Sequence, residues 1–151
     1  MDALRRYGRA SVRSNPVIAM EIKPGLHRTG ALDVDATQRQ VEQAGYTTFV
    51  LPKTGIVGRA SFFDAVRATF PLDPPLLGSR SWDALSDSLW EGLYMHAARR
   101  IAILWPRTHA MARSASADFE TALNVLADVA SSLADPRATR DNPKEVAVLV
   151  E

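Results

Sequence analysis

The chain has 151 residues, 46% hydrophobic and 23% charged, with no cysteine and a formal net charge of +1. That length suits one domain with a core of its own, and the composition is ordinary for a globular chain. The missing cysteines exclude a disulfide framework and any thiolate metal site, and no apolar run reaches the roughly 18 residues of a membrane span. Pro16 to Met20 is too short for the apolar part of a signal segment, so the expected location is cytoplasmic.

The small net charge hides an uneven distribution. Residues 1–40 carry seven Lys or Arg against four Asp or Glu, net +3. Residues 70–95 carry Arg80 against Asp73, Asp83, Asp87 and Glu91, net −3, and residues 114–136 hold four acids and no base, net −4. Both acidic segments read as helices. Side by side they would make a negative surface that attracts a basic partner and repels a polyanion.

Residues 1–33 show no clear period. Val17 to Ile22 is a short apolar run that suits a strand, and Pro24-Gly25 and Thr29-Gly30 are turn signals. The four arginines from Arg5 to Arg13 are spread as in a solvated tail, and Tyr7 is the one aromatic among them, too few for a base-stacking series, which argues against a nucleic-acid arm. Asp35 to Ala44 reads as a short helix, with Asp35 as N-cap and Gly45 as its stop. Residues 1–45 are therefore expected to form an N-terminal extension, partly irregular with a short helix near 35–44, and residues 46–151 the main domain.

Thr47 to Leu51 is a strand by its β-branched and aromatic content. Ser61 is the expected N-cap of a helix carrying Phe62, Phe63, Val66 and Phe70, with Asp64 answering it. Pro71, Pro74 and Pro75 end that helix and stiffen the connector to Gly78. Ile101 to Trp105 is a continuous apolar run, as in a strand covered on both faces. Pro106 to Ser114 reads as loop. Ser114 or Ser116 is placed to cap a long helix repeating Phe119, Leu123, Leu126, Ala130 and Leu133, with Asp128 on its wet side. Val146 to Val150 is a last strand. The expected fold is α/β, a small three-stranded parallel sheet with right-handed crossovers and helices packed on it.

The segment beginning Ser81-Trp82-Asp83-Ala84-Leu85-Ser86-Asp87-Ser88-Leu89-Trp90 carries the most information. At about 100° per residue, Trp82, Leu85, Leu89 and Leu93 share one face. Asp83, Asp87, Trp90 and Tyr94 share another. Two carboxylates beside two aromatics suit a surface that meets something cationic. Asp83 is also where the helix dipole alone favours an acid. The chain shows no phosphate-binding Gly-rich loop, no His-Glu-x-x-His and no nucleophile elbow. Asp83 and Asp87, one turn apart, could hold Mg²⁺, yet no further oxygen ligands or phosphate cradle accompany them. No catalytic residue, metal or cofactor is assigned.

Phe70-Pro71, Gly78, Trp82-Asp83-Ala84-Leu85, Asp87 and Leu89 resemble the signature of the barstar family, intracellular inhibitors of the secreted ribonuclease barnase. The resemblance runs over about residues 46–151 and implies a barstar-like fold and an inhibitor rather than an enzyme. It implies that Asp87 and Asp83 enter a ribonuclease active site in place of RNA phosphate. Leu77 and Gly78 would then lie in the contacting connector. Ser81 stands at a family Asn position, Asp128 at an acidic position on the long helix, and Trp82, Ser86 and Trp90 complete the expected surface. The partner implied is a secreted guanyl-type ribonuclease or related basic nuclease toxin, with no direct nucleic acid and no membrane. Ser86 departs from the family's Trp, Leu76 and Leu77 from its connector aromatics, and one extra residue lies between Gly78 and Trp82. The alternatives are an immunity or interaction module for another basic partner, or a small metal-dependent α/β enzyme.

Overall fold

The computed structural model describes residues 22–151. In chain order it forms strand β1 (Gly25–Arg28), helix α1 (Val34–Gln43), β2 (Thr47–Val50), α2 (Arg59–Thr69), α3 (Trp82–Met95), β3 (Arg100–Trp105), α4 (His109–Ser114), α5 (Ser116–Leu133) and β4 (Glu145–Val150). The strands make one parallel sheet in the order β1-β4-β3-β2. No helix among the described residues is long and apolar enough to cross a membrane.

The three expected strands are β2, β3 and β4. The sheet has a fourth, so the expectation of three strands is corrected. β1 pairs with β4 from Gly25 opposite Ala147 to Arg28 opposite Val150. Its sequence, Gly-Leu-His-Arg, carries one aliphatic side chain, because an edge strand needs little apolar surface when β4 supplies the ladder. Leu26 is its hydrophobic side chain against the main core, and the Arg28 guanidinium lies 5.6 Å from the centre of the Phe119 ring. The strand expected at 17–22 falls outside the described residues except for Ile22, which is not in a strand.

The two central strands bury five of their six residues each, which is why they read as unbroken apolar runs. Side chains alternate between the two faces of the sheet. Ile101, Ile103, Trp105, Val146, Val148 and Val150 meet α2, α3 and α5 in the main core. Ala102, Leu104 and Leu149 point the other way, where Val34 and Val41 of α1 cover them. Gly25–Gln43 thus shares a sheet and a core layer with the segment beyond residue 46.

Helix boundaries differ from the sequence reading in small, explicable ways. Asp33 rather than Asp35 caps α1, its Oδ1 accepting from the Ala36 N–H at 3.1 Å. Gly58 stands at the start of α2, and Ser61 sits three residues on, its Oγ accepting from the Val57 and Gly58 N–H groups at 2.9 and 3.1 Å. Asp64 instead pairs with Arg67 at 2.9 Å. Neither Ser114 nor Ser116 caps α5. The Ser114 hydroxyl bonds the Val57 and Ala110 carbonyls at 2.5 and 2.8 Å, and the stretch expected as loop winds into α4. Beyond the last turn of α3, the buried Lys144 ammonium bonds the carbonyls of His96 and, at 2.6 Å, Ala98. Burial, then the charge of Arg99, lowers its pKa.

The connector between α2 and α3 crosses α3 at its one glycine. A Cβ on Gly92 would lie 1.6 Å from the Pro71 carbonyl oxygen, so only hydrogen leaves room for the chain to pass. One turn earlier the Asp73 N–H donates to the Ser88 carbonyl at 3.1 Å. Gly92→Ala is therefore expected to cost at least the about 1–3 kcal/mol of an overpacked core, because backbone must move. Gly30→Ala, where an added Cβ meets nothing within 4 Å, should change little. Urea denaturation of the two variants checks this.

Candidate protein-binding surface

The orientation of α3 follows from what it buries. Leu85, Leu89 and Leu93 are fully buried in the main core. Each contributes about 1.5–3 kcal/mol over an exposed position, so the helix resists rolling. Ser81 starts it, its Oγ accepting from the Ala84 N–H at 3.3 Å. Asp83 lies in the first turn, where the aligned peptide dipoles favour an anion. With the leucines inward, Asp83 and Asp87 are both exposed.

The long helix α5 packs beside α3, so the two acidic segments are neighbours. Ser86, Asp87 and Trp90 of α3 and Asp128, Val129 and Ser132 of α5 line one open groove of about 340 Å³. Asp128 is exposed like Asp87. Among the described residues, ion pairs join Arg59 to Asp118, Arg67 to Asp64, Arg100 to Glu145 and Arg137 to Asp135. None of these uses Asp83, Asp87 or Asp128. Toward the other described residues the carboxylates of the groove keep their acceptor capacity, while Asp118 is engaged at 3.2 Å.

The aromatics behave differently from the sequence reading. Trp90 and Tyr94 do share a face and stack, with centroids 4.9 Å apart. That face is turned toward α5 and the loop beyond it. The Trp90 indole N–H donates to Ser132 Oγ at 2.9 Å, and the Tyr94 hydroxyl to the Thr139 carbonyl at 2.8 Å. Trp90 thus joins the two acidic helices and lines the groove, and Tyr94 ties α3 to the loop beyond α5. Trp82 is held between Phe62 and Phe63, with centroids 5.9 and 5.0 Å away, and under the Arg59 guanidinium at 5.3 Å. Its indole nitrogen is buried with no hydrogen-bond partner. Its place is therefore largely inside the fold.

The connector supplies the rest of the surface. Leu76 is buried and Leu77 beside it is 86% exposed, the most exposed large apolar side chain among the described residues. Gly78 has φ +72° with open space around it, so the backbone conformation calls for glycine and a bulkier residue there would strain it. Two arginines that the sequence reading passed over reach this region from α2. Arg59 bonds Asp118 and the Arg80 carbonyl, and Arg67 bonds carbonyls on both sides of Leu77-Gly78. Their spacing of eight residues, about two helical turns, was the available signal.

Among the described residues no group of three or more His, Asp or Glu lies close enough to hold a metal ion. The arrangement is a rigid anionic surface with an apolar tip. Its parts should separate in stability measurements. Asp87→Ala should leave stability within about 0.5 kcal/mol, as for an exposed side chain outside any network. Trp90→Ala removes a helix-joining ring and should cost at least about 2 kcal/mol. Thermal or urea unfolding of both variants reads the difference.

Neither the curated proteins nor the solved structures gave a significant match to this chain. One family model does match, that of barstar (barnase inhibitor), over residues 46–151. The matched span contains the connector, α3, α5 and every residue of the acidic groove. The chain belongs to the barstar family.

Proposed function

We propose that this chain inhibits a barnase-like ribonuclease by seating Asp83, Asp87 and Asp128 in the enzyme's cationic cleft. Members of the family are inhibitors without enzymatic activity of their own. The observation that carries the proposal is the shared groove: Asp87 and Asp128, from two helices, stand exposed on one open surface with no ion pair among the described residues.

The mechanism follows from charge and rigidity. A ribonuclease must hold phosphodiester, so its active site is cationic. Carboxylates in the same place satisfy those cations and offer no bond to cleave. Both α3 aspartates are on a helix locked by its buried leucines, so little backbone freedom is lost on docking. Arg or Lys reaching into the groove exchanges water for charge-assisted hydrogen bonds. Leu77 and Gly78 extend the contact, the leucine as an apolar anchor and the glycine by allowing close backbone approach. Ser86, smaller than the family's Trp, leaves the groove open beside Asp87. That opening favours a partner with a longer cationic side chain there, and so keeps a different basic nuclease as the second reading.

Two outcomes test this with barnase as the probe enzyme. Asp87→Ala should weaken inhibition of RNA cleavage at least about thirtyfold, the lower end of the loss seen for buried interfacial charge pairs, barstar's own complex among them. Asp118→Ala should weaken it far less, since Arg59 already holds that carboxylate. Equal losses would remove the case for the α3 surface. Raising salt from about 50 to 500 mM should slow association markedly and change dissociation much less, as steering is screened and docked pairs are not. An association rate indifferent to salt would place docking elsewhere.

A further inference from the structure

We infer that Arg67 is a positioning residue whose guanidinium holds the exposed Leu77-Gly78 tip in the shape that docks. The inference rests on the inhibitor reading for its purpose, and on the geometry of the free chain for its substance. Arg67 lies in the last turn of α2, with its side chain 26% exposed. Nε donates to the Leu76 carbonyl at 2.5 Å and Nη2 to the Ser79 carbonyl at 2.7 Å. Nη1 is fixed by Asp64 Oδ1 at 2.9 Å, and the guanidinium lies 5.9 Å from the centre of the Phe63 ring. Leu77 and Gly78 are the two residues between those carbonyls.

Nothing else described holds this tip so directly. The connector's backbone hydrogen bonds lie before it, at Leu72 and Asp73. After it, the Ser81 N–H donates to Ser79 Oγ at 3.2 Å. Leu76 is buried, but Leu77 is 86% exposed and Gly78 adopts a backbone region that glycine also leaves easily. A tip of that kind would sample many conformers and lose their entropy on docking. The planar fork of Arg67 fixes both flanking carbonyls at once. A lysine in its place is a single point charge and cannot hold two diverging acceptors in one plane. Both arginines of α2 are bonded to carbonyls and to Asp118 or Asp64, and neither pairs with Asp87.

The test uses the full chain, first alone and then with barnase. Backbone ¹⁵N relaxation on the free protein should show Leu77, Gly78 and Ser79 as ordered as α3, with order parameters near about 0.85, falling below about 0.6 in Arg67→Ala while α3 stays unchanged. Arg67→Lys should recover little of that order. With barnase, Arg67→Ala should speed dissociation about tenfold and leave association nearly unchanged. That penalty should largely disappear in a Leu77→Ala background and persist in an Asp87→Ala background. Unchanged order at the tip in Arg67→Ala overturns the inference, and so does a dissociation penalty of full size without Leu77. Loss of the Asp87→Ala effect on barnase would instead remove the inhibitor reading and leave the relaxation measurement to decide the role of Arg67.

Discussion

Three leucines one helical turn apart decide what this surface can do. Leu85, Leu89 and Leu93 lie against β3 and the neighbouring helices with no exposed area, and together they forbid rotation of α3 about its axis. Rotation is the degree of freedom that would matter, because Asp83 and Asp87 sit on the same helix at a fixed angle from that stripe. Burying the leucines turns the carboxylates outward. The crossing of the connector at Gly92 fixes the same helix from a second side, with backbone against backbone. Fold stability and surface geometry therefore come from the same contacts.

The sheet is the platform for this. Its central strands are covered on both faces, so α1 lies on one side and the helices that carry the acidic surface lie on the other. The α5 helix is brought against α3 partly by Trp90 and Ser132, which join at 2.9 Å across the groove. That bond sets the width of the site in which Asp87 and Asp128 stand.

Much of this was legible in the sequence. The period of Leu85, Leu89 and Leu93 placed the helix and its outward acids, and the runs Ile101–Trp105 and Val146–Val150 placed the central strands. What was not legible depended on partners distant in sequence. β1 carries a turn-like composition because β4 supplies its pairing. Trp90 and Tyr94 read as an outward aromatic face because periodicity gives their direction on α3 but says nothing of α5 beside them. Trp82 fell with the buried stripe, and the reading still gave it to the partner surface, whereas Phe62 and Phe63 hold it. Arg67 carries only its spacing of eight residues from Arg59, which names no partner. Its role comes from carbonyls nine and twelve residues on, brought back by the prolines of the connector.

The docking site proposed for a basic ribonuclease comprises the connector, the start of α3 and Asp128. Amide shift mapping of the labelled chain on titration with barnase tests it most directly. The largest changes are expected at residues 76–81, 83–90 and 127–132, with α1 and β1 nearly still. Changes concentrated on α1 and β1, with the α3 and α5 amides unmoved, would contradict it.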